Sequence, residues 1–366
     1  MSKKLLSIFI PSMAGGGAER VALTLAQDWL QRGHRVDLVV MEKGGELEGL
    51  VPDGVRLIAL NVNQMRRAIR PFADYLQRER PFAVQVSLWP LTVIAVLARK
   101  LARSNSRLVL SEHVALTKQY AHFSLATQLL LKYSTRWAYP RADALLVVSD
   151  DAAKDVAMLA GMAKSDIETV YNPLTIPPAK GGNVAAIEAL WGIPNGQRIL
   201  HVGKLKAQKN QALLIRAFAR LEGHDDARLM ILGQGELEAE LRALAGSLGV
   251  TDRVIFAGFQ LDPAPYYASA DLFVLSSDYE GFGLVLVEAL ANGLSVISTD
   301  CESGPREILA DGDYGTLVPC GDAEALAAAM DEALRHPSDP ERSRARAEIF
   351  GGAQSLERYH QLMMGQ

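Results

Sequence analysis

Cysteine is almost absent. Cys301 and Cys320 are the only two in 366 residues. They can build neither a disulfide framework nor a cysteine-based zinc site, and a reducing cytosol is the expected setting. Long apolar runs are missing as well. The longest near-apolar stretch, residues 87–98, contains Pro90 and is shorter than the ~20 residues that span a bilayer. The opening MSKKLLSIFIPSMAGGG couples lysines to a short β-branched stretch, but Gly15, Gly16 and Gly17 follow in place of a small-residue cleavage site. No targeting segment is expected there. Gly and Pro are near average, at 30 and 16 residues, which excludes collagen-like and low-complexity chains.

What is present is an ordinary globular composition with an uneven charge. Apolar residues make up 49% and charged residues 22%, enough for full cores, and the length suggests two domains. The net charge of −4 hides a basic first half: residues 1–178 carry 22 Lys+Arg and 16 Asp+Glu. Residues 56–141 are the most basic, with 14 Lys+Arg against 3 Asp+Glu. Such asymmetry points to an anionic partner, although basic helices also occur simply as solvated surface.

Short apolar segments alternate with helical stretches along the whole chain. Residues 5–11, 35–41, 83–87, 108–111 and 144–148 read as strands in the first half, and 198–202, 228–232, 254–257, 272–275 and 296–298 in the second. A helix over 18–32 is stopped by Gly33, another is expected over 210–221, and an amphipathic one over 354–364. The alternation predicts an α/β protein with two doubly wound parallel sheets. The Pro- and Gly-rich NPLTIPPAKGG divides them. The expected domains are 1–172 and 183–350, with a linker over 173–182 and a C-terminal helix, 351–366, that returns to the first domain.

Ligands of such sheets bind in the loops after the strands. Gly15, Gly16 and Gly17 precede a helix whose N–H groups suit a phosphate or a sugar hydroxyl; a plain strand-to-helix turn has the same look. G-x-G-x-x-G is absent, so a dinucleotide is a poor fit. Lys204 and Lys209 flank the equivalent turn in the second half and suit a diphosphate, or are surface lysines. The sharpest signal is EGFGLVLVE at 280–288. Glu280 can accept hydrogen bonds from a polyol, beside the amides of Phe282, Gly283 and Leu284. Glu288 lies amid apolar residues and calls for a partner, which a ribose diol would provide.

These segments resemble the retaining GT-B glycosyltransferases of family four. GGGAERV at 15–21, RGHRV at 32–36, SEH at 111–113, VYNP at 170–173, VGKLKAQKN at 202–210, the paired glutamates and ALANGLSVISTD at 289–300 occur in that family's order. The resemblance implies two Rossmann-like domains facing across a cleft, a nucleotide-sugar donor, most simply a UDP-sugar, and transfer with retention. It implies that Glu280 and the Phe282, Gly283 and Leu284 amides hold the donor sugar, Glu288 the ribose, and Lys209 the diphosphate. His113 would reach the sugar, and Gly15, Gly16 and Gly17 would close over the diphosphate or the acceptor. Lys204 stands where many members have arginine and supplies charge without the two-pronged fork. Asp311-Gly312-Asp313 reads as a turn rather than a magnesium-holding pair, so no metal and no cofactor are expected.

The acceptor is expected to be a glycan or glycolipid such as lipopolysaccharide, met at the cytoplasmic face of the cell membrane. Arg66, Arg67 and Arg70, beside an apolar stripe of Met65, Ile69, Phe72 and Leu76, and Arg99, Lys100 and Arg103 are the expected contacts with anionic lipid; the stripe also fits ordinary core. No nucleic-acid motif is present. The alternatives are a sugar isomerase of the UDP-N-acetylglucosamine 2-epimerase type, against which the glutamate motif and the basic region argue, and a non-catalytic nucleotide-sugar sensor.

Overall fold

The computed structural model describes residues 3–178, 187, 189–193, 196–301, 303–350 and 352–366. The chain divides into two compact units, Met1–Pro173 together with Gly352–Gln366, and Leu174–Gly351. The far end of the expected linker, residues 179–182, lies outside the described residues.

The first unit is built on seven strands: β1 Leu5–Ile10, β2 Arg35–Val40, β3 Val55–Ala59, β4 Ala83–Ser87, β5 Arg107–Glu112, β6 Ala144–Val147 and β7 Glu168–Thr169. Their order across the sheet is β3-β2-β1-β4-β5-β6-β7. The second unit has β8 Arg198–Val202, β9 Arg228–Leu232, β10 Val254–Gly258, β11 Leu272–Leu275, β12 Ser295–Thr299 and β13 Thr316–Val318, in the order β10-β9-β8-β11-β12-β13. Every pairing in both sheets is parallel. The central strands are apolar almost throughout because helices cover both faces, and β1, β4 and β11 are buried along nearly their full length. Each sheet reverses its winding once, between β1 and β4 and between β8 and β11, which is where ligand loops converge.

Three strands escape the sequence reading: β3, β7 and β13. All are sheet edges with half-exposed side chains, so none carries a continuous apolar run. The helix expected over 210–221 is shorter, Gln211–Phe218, and a 3₁₀ turn, Ala207–Lys209, precedes it.

The C-terminal helix Ala353–Met364 belongs to the first unit, where it buries Tyr359, Leu362 and Met363. Arg358 grips Glu168 through two bonds, at 2.6 and 2.8 Å. His360 Nε2 lies 3.1 Å from His34 Nε2. Cys301 is buried and Cys320 exposed, and both are free. No helix among the described residues is long and apolar enough to cross a membrane.

Candidate active site

In the second unit, two loops at the sheet's reversal come together. The first follows β8 and carries Lys204 and Lys209; the second follows β11 and carries Glu280. Backbone and side chains tie them: Asp278 N–H donates to Gln208 O at 2.9 Å, Gln208 Nε2 to Tyr279 O at 2.8 Å, and Asn210 Nδ2 to Asp278 Oδ1 at 2.8 Å. Asn210 also caps helix Gln211–Phe218 by accepting from Leu213 N–H. This fastening leaves Lys209 Nζ 2.5 Å from Glu280 Oε1, to which Ser277 Oγ also donates at 2.6 Å. Glu280 is only 5% exposed. Lys209, expected at a diphosphate, therefore spends its charge on Glu280, and the two form one unit. Lys204 is exposed at the rim.

Behind the loops stands His201, which sequence reasoning missed. It is fully buried, with Nδ1 2.9 Å from Val274 O and Nε2 3.2 Å from Gln211 Nε2. Burial holds its pKa down to about 4, so the ring is neutral and serves as a spacer between β8 and β11. A polar residue in the middle of the buried RILHV strand was the available signal.

Glu280 lies before a glycine bend, and Gly283, at φ +87°, is the N-cap of helix Leu284–Ala291. Gly304 packs on this bend: a Cβ there would lie 1.9 Å from Phe282 O. Glu288 sits on the buried side of the helix, 2% exposed. It does not lack protein partners, contrary to the sequence argument. Tyr267 OH donates to Oε2 at 2.8 Å and Thr175 Oγ1 to Oε1 at 3.0 Å. Each carboxylate oxygen keeps further acceptor capacity, so a ribose hydroxyl can join these bonds but is not needed to satisfy the group. Neither hydroxyl residue lies in a motif, so no local pattern marks them.

In the first unit, helix Gly17–Gln31 starts at the glycine loop. Its N-terminus is not vacant for an anion as expected. Gly15 N–H donates to Glu46 Oε2 at 3.0 Å, and Glu19 Oε2 crowds Gly16 so closely that a Cβ there would lie 2.3 Å away. Two carboxylates therefore meet the positive end of this helix. Gly17 faces open space.

His113 follows β5 and is buried. Its Nε2 is 3.1 Å from Ser111 Oγ and 3.3 Å from Ser87 Oγ. Asn172 of the VYNP motif adjoins the ring, but His113 Nδ1 and Asn172 Oδ1 make no hydrogen bond of ordinary geometry among the described residues. Burial lowers the His113 pKa to about 4, so the ring is neutral. Glu112 next to it is wholly buried and takes bonds from Tyr139 OH at 2.5 Å, Thr92 Oγ1 at 3.0 Å and Trp89 N–H at 3.2 Å. Burial outweighs these donors and raises its pKa to about 7.

The basic residues divide. Arg66, Arg67 and Arg70 are exposed on the 3₁₀ turn Met65–Ala68 and helix Ile69–Glu79, whose Phe72 and Leu76 are core. Lys100 and Arg103 are exposed too. Arg99 departs from the expectation of a surface contact: it pairs with Asp143 and donates to Arg141 O.

The family described as Glycosyl transferases group 1 matches residues 187–349, and Glycosyltransferase Family 4 matches residues 15–176. The chain is 32% identical, over 86% of its length and 85% of the relative's, to the N-acetylgalactosamine-N,N'-diacetylbacillosaminyl-diphospho-undecaprenol 4-alpha-N-acetylgalactosaminyltransferase of Campylobacter jejuni. It is 30% identical, over 72% of its length and 68% of the relative's, to the lipopolysaccharide 1,6-galactosyltransferase of Salmonella typhimurium. Among solved structures, Anabaena Alr3699/HepE in complex with UDP and glucose matches with a TM-score of 0.84, at 19% identity, over 99% of this chain and 100% of that one. That last likeness speaks for the fold alone.

Proposed function

We propose, for a chain that belongs to the family four glycosyltransferases of the GT-B fold, a retaining transfer of a hexose or N-acetylhexosamine. The donor is a UDP-sugar, and the acceptor is a lipid-linked glycan or lipopolysaccharide at the cytoplasmic face of the membrane. The observation that carries this reading is the Lys209–Glu280–Ser277 cluster at the reversal of the second sheet, with Glu288 on the following helix. The relatives named for undecaprenol-linked and lipopolysaccharide acceptors support the choice of acceptor.

In this reading Glu280 holds donor-sugar hydroxyls, and Glu288 holds the ribose together with Tyr267 and Thr175. Cleavage of the anomeric C–O bond places charge on the departing diphosphate. Lys204, Lys209 and the start of helix Leu284–Ala291 stabilise that charge as it develops. When the diphosphate arrives, Lys209 shares its proton donors between Glu280 and the phosphate. Attack comes from the face the diphosphate leaves, with the diphosphate taking the acceptor proton, and neutral His113 donates to or accepts from a sugar hydroxyl.

This reading gives no role to a metal; Asp311, in the 3₁₀ turn Ala310–Gly312, pairs with Arg306 at 3.2 Å. The test is an assay of purified protein with a panel of UDP-sugars and a polyprenyl-diphosphate-linked sugar, with and without EDTA. Product with a retained anomeric configuration by NMR, unaffected by EDTA, is the expected result. An inverted product, a changed free sugar without acceptor, or loss of activity restored by Mg²⁺ would each overturn a stated part of it.

A further inference from the structure

One surface of the first unit has no role in the donor chemistry. Helix Leu125–Ala138 buries Leu131, Thr135 and Ala138 against the core. Its opposite side carries large apolar residues in the open: Leu125 is 71% exposed, Tyr133 64%, Leu130 61% and Leu129 43%, with Phe123 just before the helix at 54%. At about 100° per residue, these four helix positions fall within an arc of about 140°. Lys132 and Arg136 lie at one edge of the arc, both exposed, and Lys118 is exposed on the neighbouring helix Leu116–Gln119. Residues 113–142 hold four Lys and Arg, namely Lys118, Lys132, Arg136 and Arg141, and no Asp or Glu. A contiguous exposed apolar face of this kind marks an interaction surface.

We propose that the outward face of helix Leu125–Ala138, together with Phe123, inserts into the headgroup region of an anionic bilayer. Its apolar side chains, more than the charge of Arg66, Arg67 and Arg70, hold the protein there.

Charge decides the occupant. A second copy of the chain in a two-fold dimer would lay this patch on itself and bring each cation opposite another, with no acid between residues 113 and 142 to neutralise it. A bilayer with anionic headgroups neutralises all of them, while the leucines, phenylalanine and tyrosine enter the acyl boundary. Tyr133 has an apolar ring and a polar tip, the form that suits this depth. The proposal rests on a lipid-linked acceptor only in its choice of a bilayer.

Flotation of the full chain with vesicles of phosphatidylglycerol and phosphatidylethanolamine, and with neutral phosphatidylcholine vesicles, tests it. Binding is expected on the anionic vesicles, and part of it persists in 1 M salt, where the Debye length falls to about 3 Å. The combined variant Leu125→Gln, Leu129→Gln, Leu130→Gln lowers partitioning by about tenfold or more and removes the salt-resistant part. Arg66→Glu, Arg67→Glu, Arg70→Glu lowers only the salt-sensitive part. All six positions are exposed or half-exposed, and an unchanged melting temperature verifies the fold.

Full binding by the leucine variant, complete loss of wild-type binding in 1 M salt, or no wild-type binding to anionic vesicles overturns the proposal. So does a wild-type dimer that the leucine variant turns into a monomer without change in vesicle binding. Hydrolysis of the donor by water, measured on the same samples, separates this outcome from that of the transfer reaction. Vesicle binding that follows the helix without donor turnover would leave the surface intact and sink the enzymatic reading; turnover without vesicle binding would do the reverse.

Discussion

Lys209 and Glu280 are best understood as a pair. Removing one partner of a buried ion pair leaves an uncompensated charge and costs about 3–5 kcal/mol. Lys209→Met should therefore lower stability as well as turnover, by an amount in that range, since Glu280 is almost fully buried. Adding Glu280→Gln should recover most of the stability and none of the activity. Chemical denaturation of the single and double variants reads this directly; a single variant as stable as wild type would show that the pair is weak. Glu288 makes the complementary case. Glu288→Gln removes a charged acceptor and should weaken UDP binding by about 1.5–3 kcal/mol in calorimetry. Tyr267→Phe removes only one of the hydroxyls that orient the carboxylate and should cost less. Equal losses would mean that Tyr267, and not the carboxylate charge, determines the affinity.

At the scale of elements, the site depends on backbone packed against backbone. The bend that carries Phe282 and Gly283 starts helix Leu284–Ala291, and Gly304 lies against it with φ +97°. A side chain at 304 meets both a strained backbone region and the Phe282 carbonyl, so Gly304→Ala should cost more than about 1–3 kcal/mol, the range for a single strained residue. It should also weaken UDP binding, because relief requires the bend to move. A variant with wild-type melting temperature and affinity would show that the bend yields freely. The second-half loops are fastened in the same manner: Gly233 approaches Gly203 so closely that a Cβ would lie 2.0 Å from its carbonyl oxygen. Loop position, and with it the Lys209 geometry, is thus set by glycines packed against the site loops themselves.

For the whole molecule the clearest consequence is a pH dependence with opposing parts. His34, His113, His201 and His360 all have lowered pKa values, first of all because they are buried. His34 and His360 also face each other, Lys4 and Arg32, with Asp28 and Glu357 on the other side. Below an ordinary ~6.5 the unfolded chain binds protons that these native rings refuse. Their contribution is therefore present above ~6.5 and, for His113 and His201, lost as pH falls through about 4. Glu112 works in reverse. Its native pKa is raised to about 7 from an ordinary 4.5, so its contribution is present below 4.5 and lost as pH rises through 7. In the first unit the two cancel in part between those limits. Glu112→Gln should unmask the histidines, giving a steeper fall in stability on acidification over that window and a flatter profile near pH 7. Denaturation midpoints across the pH series measure it, and an unchanged slope would mean that Glu112 ionises in the ordinary range.

The two-sheet architecture, ten of the strands, the residues of the β8 and β11 loops, and the family to which they belong were legible in the order of residues alone. These are local properties: a strand buried on both faces is an apolar run, and a ligand loop is a cluster of glycines and charges that needs no distant information. Which side chains become partners depends on how the chain folds. Lys209 and Glu280 are 71 residues apart, and Thr175 and Glu288 are 113 apart; the order of strands brings them together. The same holds for Glu46 at the Gly15 amide, which turned an expected anion site into one already met by a carboxylate, and for Arg99, bound by Asp143. The edge strands β3, β7 and β13 lacked a readable pattern because one side of each stays open. Leu125, Leu129 and Leu130 have the opposite history. Apolar residues at helical spacing look like core in any sequence, and whether a second element covers them is a property of the fold, which here leaves them bare.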